Sequence, residues 1–189
     1  ALGPVAAPAA VLVRPDGSTA GDRTPSSEWQ LHRDLYAARP DAVAIVHTHS
    51  LYCTSIACLR RPLPAIHYMI ALAGTAEIPC ADYATYGTAE LAANVSRALG
   101  AGDACLMANH GMVALGRSLD AALRLAAEIE TLAAQYWHAS TLGTPHVLPA
   151  DEAFHGAGPG HFGTHDWCIH FRSPGVGVVI RRTGRRFPP

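Results

Sequence analysis

Apolar and polar positions alternate along this chain with two different rhythms. From residue 42 to 47 the run Ala-Val-Ala-Ile-Val-His is nearly continuous in β-forming residues, which predicts a strand covered on both faces. Ala104 to Ala108 and Met112 to Leu115 repeat that character on either side of Asn109-His110-Gly111, the pattern of a tight hairpin or bulged junction. A helical rhythm dominates elsewhere. Leu119, Leu123, Ala126, Ile129, Leu132, Ala133 and Tyr136 recur at helical spacing after Ser118, which predicts the longest helix, ending near Gly143 and Pro145.

Shorter elements fill the intervals. Val11 to Val13 ahead of Asp16-Gly17 predicts a short strand running into a turn. In Pro25-Ser26-Ser27-Glu28-Trp29 a serine caps a helix with Glu28 in its first turn; Trp29, Leu31, Leu35 and Tyr36 form its apolar face and Arg39-Pro40 stops it. Helices are also predicted over 51–59 and over 88–99, the latter ended by Gly100, with a partly helical stretch at 66–73 and irregular chain at 75–87. Beyond about residue 153 periodicity fades apart from a strand over 176–180. Strands interspersed with helices give an α/β or α+β fold in which helices pack around one sheet.

Composition narrows the field. With 189 residues, 49% of them hydrophobic, the chain suits one domain with a substantial core. A net charge of −1 gives no case for nucleic acid or an anionic membrane, and Arg181, Arg182, Arg185 and Arg186 read as a solvated tail. Five cysteines without a C-x-x-C pair point to free thiols and a cytoplasmic protein. No apolar run reaches the roughly 18 to 20 residues that span a bilayer, so no membrane partner is expected. All 14 basic residues are arginine, so this sequence offers no lysine for a Schiff base, and carbanion chemistry here requires a metal or another electron sink.

The candidate chemistry starts with His47 and His49. On extended backbone, residues i and i+2 project to one face, so the two imidazoles at a strand end aim at one point. A catalytic zinc takes three protein ligands and keeps an open position, and His110, at the start of a second core strand, is the third candidate. A hydrogen-bonded histidine pair satisfies the bare motif equally well. Glu28 at a helix start is ordinary dipole complementation, or else a base beside an anion site in which Ser26, Ser27 and the free N–H groups cradle a phosphate. Tyr68 is by default a core tyrosine with its hydroxyl satisfied.

Five segments in order then carry a resemblance: P-S-S-E-W (25–29), V-H-T-H-S (46–50), A-I-H-Y-M-I-A (65–71), I-P-C-A-D-Y-A-T-Y-G-T (78–88) and N-H-G-M-V-A (109–114). Together they resemble the class II aldolase/adducin family over about residues 11–152, nearest its fuculose-phosphate-cleaving members. The resemblance implies a central, mainly antiparallel sheet with helices on both faces, assembled as a homotetramer with active sites at subunit interfaces. It implies one Zn²⁺ per subunit on His47, His49 and His110, with Glu28 as fourth ligand at rest and as the catalytic acid/base. Ser26 and Ser27 contribute to phosphate binding, Tyr68 is a proton donor reaching a neighbouring subunit's site, and Tyr86 lines the pocket. The implied reaction is reversible aldol cleavage of a ketose 1-phosphate, of the L-fuculose 1-phosphate type, to dihydroxyacetone phosphate and a short aldehyde such as L-lactaldehyde.

Both ends depart from the family pattern. The family carries an N-terminal part, with a loop supplying some of the phosphate site, ahead of the position matching Ala1, so residues 1–152 form the family domain without it. Residues 153–189 form a divergent tail in which no tyrosine follows Tyr136, and scattered His155, His161, His165 and His170 do not make a second metal site. A superfamily sugar-phosphate epimerase, against which Glu28 argues, a dehydratase, and a non-catalytic adducin-like interaction domain are the alternatives.

Overall fold

A computed structural model of the chain describes residues 11–20 and 24–154, together with the backbone of 178–181. In chain order it runs β1 (Leu12–Val13), β2 (Thr19–Ala20), α1 (Trp29–Ala38), β3 (Ala44–Thr48), α2 (Leu51–Ala57) and β4 (Leu63–Pro64). A 3-10 helix (Tyr68–Ala73) follows, then β5 (Glu77–Ile78), β6 (Cys80–Ala81), α3 (Ala89–Leu99), β7 (Ala104–Met107), β8 (Gly111–Gly116), α4 (Leu119–Leu142), α5 (Ala150–Ala153) and β9 (Val178–Arg181). The strands β6-β7-β8-β3-β9 form the central sheet, in which only β6 and β7 run parallel.

The side-chain alternation of the central strands divides the core into two layers. Ile45, Cys105, Met107, Val113 and Leu115 join Leu31, Leu35, Val95 and Leu99 on the face covered by α1 and α3. Ala44, Val46, Leu106, Met112 and Ala114 join Cys53, Ile56, Ile129 and Leu132 on the face covered by α2 and α4. The period of two along each strand accounts for the near-continuous apolar runs, because every position meets a helix on one side or the other. Fully buried Ile45, Leu106, Met112 and Ile129 are each worth roughly 1.5–3 kcal/mol relative to exposure. Helices therefore cover both faces of a mainly antiparallel sheet. Among the described residues no helix is long and apolar enough to cross a membrane.

Local signals decide where helices start and stop. Thr88 Oγ1 accepts from the Leu91 N–H (3.3 Å) at the start of α3, and Ser118 Oγ accepts from the Ala121 N–H (3.1 Å) at the start of α4. Gly100, with φ +51°, ends α3. Two expectations change. α1 begins at Trp29, so Glu28 is the residue ahead of the first turn rather than within it; Ser26 Oγ accepts the Glu28 N–H (3.2 Å) and the Glu28 carbonyl accepts from His32 (3.3 Å). The stretch 75–87 contains β5 and β6, each two residues long and too short for periodicity to register, yet β6 extends the central sheet beside β7.

The start of α2 is held from outside. Ser50 makes no side-chain cap; instead the buried carboxylate of Glu130, from α4, accepts from the Tyr52 N–H through Oε1 and from the Cys53 N–H through Oε2, each at 2.9 Å. Two N–H groups that a helix leaves unpaired are thus satisfied across 78 and 77 residues. Glu130→Ala orphans both donors and is expected to destabilise the fold by roughly 2–4 kcal/mol, and Glu130→Gln, which keeps one acceptor, by about half as much. Urea unfolding at pH 7 measures both.

Candidate metal centre

β3 and β8 pair antiparallel with His47 opposite Val113 and Thr48 opposite Met112. This register lays the His47 ring against the backbone of β8, where its Nδ1–H donates to the Met112 carbonyl at 2.9 Å. Because a carbonyl only accepts, the bond fixes the tautomer and leaves Nε2 unprotonated in the neutral ring. That Nε2 faces the Nε2 of His49 at 3.1 Å. His110 closes the group from the β7–β8 turn, and one ligand atom from each of the three residues lies within 4.8 Å of the others.

A tetrahedral zinc with Zn–N of roughly 2.0–2.1 Å requires nitrogens about 3.4 Å apart. The observed separations, from 3.1 Å for one pair to no more than 4.8 Å, bracket that requirement. Burial pushes the His47 pKa down to about 3, helped by the neighbouring His110, His49 and His32, and burial with His49 lowers that of His110. Both rings are therefore neutral at pH 7, the form that ligates metal. His47 is buried, His110 half-buried and His49 exposed, which leaves the group open to solvent on one side.

The backbone around the group is closely constrained. A Cβ on Gly111 would collide with the Thr48 carbonyl oxygen and lie 2.9 Å from His49 Cδ2. Glycine is what lets the two ligand-bearing segments approach. Asn109, just before His110, has φ +53°, and its side-chain oxygen accepts from Arg60 Nε at 2.8 Å, while its N–H donates to the Ala57 carbonyl at 3.1 Å. Arg60 itself has φ +52°. The turn that presents His110 is thereby tied to the end of α2.

Glu28 stands apart from the three-histidine group but on the same side of the sheet, on the segment leading into α1, which packs on the layer containing Ile45 and Val113. The residue is 6% exposed, and no side chain hydrogen-bonds either carboxylate oxygen. Burial raises its pKa, with the Gly87 backbone N–H acting in the opposite direction. His32, one turn further along α1, is 0% exposed with both ring nitrogens unpartnered, and burial holds its pKa down at about 4.

The other expected residues lie at the surface. Ser26 is half-buried and Ser27 exposed, and the backbone of Gly87 passes close to the Ser27 carbonyl, so the 86–88 turn sits over this segment. Tyr68 is 50% exposed and stacks on His67, with ring centroids 4.6 Å apart, and Tyr86 is 67% exposed. Among the described residues the three histidine rings pair with one another, and Tyr68 pairs with His67. His155, His161, His165 and His170 lie outside the described residues. His32, Glu130 and Gly111 were not expected from the sequence; the one signal for His32 is its polarity on an otherwise apolar helix face.

The sequence matches the family described as Class II Aldolase and Adducin N-terminal domain over residues 2–137. It is 51% identical over 142 residues to a 5-methylthioribulose-1-phosphate/5-deoxyribulose-1-phosphate aldolase from Rhodospirillum rubrum, covering 75% of this chain and 64% of that protein. It is 44% identical over 139 residues to an L-fuculose phosphate aldolase from Haemophilus influenzae, covering 74% of this chain and 63% of that one. The chain thus spans just under two thirds of the length of these relatives. A solved L-fuculose 1-phosphate aldolase superposes with a TM-score of 0.73 at 45% identity, covering 76% of this chain and 68% of the other.

Two outcomes follow from the geometry. Gly111→Ala is expected to weaken metal affinity by about 10–100-fold while the chain still folds, as measured by competition with a chelator of known affinity. In the metal-free protein, His32 titrates near 4 when folded and near its ordinary 6.5 when unfolded, so the unfolded chain binds the extra proton first. Stability is therefore complete above about pH 6.5 and declines as pH falls toward 4, by up to roughly 3 kcal/mol from this residue. Urea midpoints at pH 7 and pH 5 test the sign, and His32→Leu should flatten part of the slope.

Proposed function

Because this chain belongs to the Class II Aldolase and Adducin N-terminal domain family, we propose that it performs metal-dependent, reversible aldol cleavage of a ketose 1-phosphate to dihydroxyacetone phosphate and a short aldehyde. The observation that carries this reading is the convergence of His47, His49 and His110, with the His47 tautomer set by the Met112 carbonyl. His47, His49 and His110 would hold a zinc ion, with Glu28 as fourth ligand at rest. The bare Nε2 of His47 and the neutral rings of His47 and His110 suit that ion. When bound, the metal supplies Lewis-acid stabilisation of the negative charge that develops as the carbon–carbon bond breaks.

The residues of the chain supply the proton chemistry. The buried Glu28 carboxylate, its pKa raised, takes and returns the proton that moves between the substrate hydroxyl and carbon. Ser26 and Ser27, on the segment ahead of α1, meet the phosphate. Tyr86, exposed beside the 86–88 turn, lines the pocket, and Tyr68 donates a proton at the site of a neighbouring copy in a homotetramer. The exposed aromatic surface of Tyr68, Tyr83 and Trp137 supports self-association. The absence of lysine from this sequence supports the metal route over a Schiff base.

The relatives' names divide between fuculose and ribulose substrates, and the ribulose-type relative and the solved fuculose aldolase are both named for 1-phosphates. L-Fuculose 1-phosphate is the substrate favoured here, with lactaldehyde as its aldehyde product. The assay presents zinc-reconstituted protein with L-fuculose 1-phosphate, 5-methylthioribulose 1-phosphate and 5-deoxyribulose 1-phosphate, and follows dihydroxyacetone phosphate by coupled reduction. One metal per chain is expected. His47→Ala should lose both metal and turnover, and Glu28→Gln should retain most of the metal while kcat falls roughly 10²–10⁴-fold. Stoichiometric metal with no dihydroxyacetone phosphate from any of the three would sink the aldolase reading but leave the metal site intact. A protein that binds no metal, with His47→Ala indistinguishable from it, would sink both.

A further inference from the structure

Glu28, just ahead of α1, and His32, within it, are buried polar side chains with unmet hydrogen-bonding demands, and they are complementary. Glu28 offers two carboxylate oxygens that no side chain meets, the backbone N–H of Gly87 being the one donor near them, and His32 offers two ring nitrogens without a partner. The residues are four apart, and the backbone N–H of His32 donates to the Glu28 carbonyl at 3.3 Å, so one helical turn joins them. Side chains at that spacing lie on one face and are neighbours. His32 is fully buried on α1 together with Leu31 and Leu35 and acts electrostatically on His47, and a leucine or phenylalanine in its place would leave no nitrogens unpaired. A neutral imidazole has one N–H to give, and an ionised carboxylate accepts only.

We infer that His32 is the positioning residue for Glu28: its ring N–H holds the Glu28 carboxylate, directly or across one buried water, and fixes the orientation in which Glu28 exchanges protons with substrate. The inference rests on the aldolase reading for its catalytic consequence, though not for the His32–Glu28 link itself. A bridging water fits because such sites pair buried polar groups that have no protein partner. His32 touches no reacting atom in this scheme. It acts through Glu28, so its loss should appear in turnover more than in binding.

The first test compares His32→Leu with His32→Gln, the second of which retains an N–H donor. His32→Leu should keep stoichiometric zinc and a KM within about threefold of wild type while kcat falls about 10–100-fold, and His32→Gln should recover most of the loss. The second test uses no substrate: ¹⁵N-histidine NMR of the zinc-loaded protein should show a protected His32 ring N–H whose proton resonance moves upfield in Glu28→Gln, where a charge-assisted bond becomes a neutral one. A kcat for His32→Leu equal to wild type, or a His32 ring resonance indifferent to Glu28→Gln, overturns the proposal. If neither variant folds, the NMR comparison between wild type and Glu28→Gln decides alone. Should wild type cleave none of the ketose 1-phosphates, the aldolase reading fails, and the same NMR comparison still confirms or removes the His32–Glu28 link.

Discussion

The pairing of β3 with β8 is the constraint on which the rest of the molecule depends. It sets Ile45 opposite Leu115 and His47 opposite Val113, so the side chains on one face of both strands fill the layer beneath α1 and α3. The same register delivers the Met112 carbonyl to His47 Nδ1 and brings the Thr48 backbone against Gly111. A slip of one residue would turn every side chain to the opposite face, exchanging the two core layers and swinging His47 away from α1. Core and site are specified by the same ladder of hydrogen bonds, which is why neither can be altered without the other.

Much of this was legible in the chain. The run at 42–47 was expected as a doubly covered strand and folds as Ala44–Thr48, ending between the two histidines. The turn at 109–111 was expected between two core strands and lies between β7 and β8. These succeeded because the local signals, continuous apolar β-formers and a polar break, agree with the tertiary solution. Where they failed, the deciding interaction was remote or too short to leave a period. β5 and β6 occupy two residues each and are defined by their neighbours, with the Leu106 N–H donating to the Pro79 carbonyl. Glu28 falls just outside α1 because the Ser26 hydroxyl satisfies its N–H through a local turn, an alternative to helix that sequence spacing does not resolve.

The candidate site divides along the same line. The convergence of His47 and His49 follows from strand geometry and was readable, and the contribution of His110 was readable as a possibility that the paired strands make physical. Glu130 could not be found this way: nothing in the helical spacing of α4 announces that one glutamate turns inward to hold the start of a helix 77 residues earlier. Gly111 and Asn109 are conspicuous only once the backbone is known, since what matters is the closeness of Thr48 and a positive φ.

Two buried glutamates on opposite faces of the sheet show how the fold separates stability from chemistry. Glu130 commits both oxygens to backbone donors at the start of α2. Glu28 is buried to a similar degree, and both its oxygens remain unpaired, as do the ring nitrogens of His32 one turn away. An apolar pair at those positions would have been cheaper for folding, since an unpartnered buried polar group carries its full desolvation cost. The cost lies on the side of the sheet toward which His47 projects. A carboxylate kept unsatisfied retains the basicity that a proton-transfer group needs, whereas Glu130 is committed to holding the start of α2.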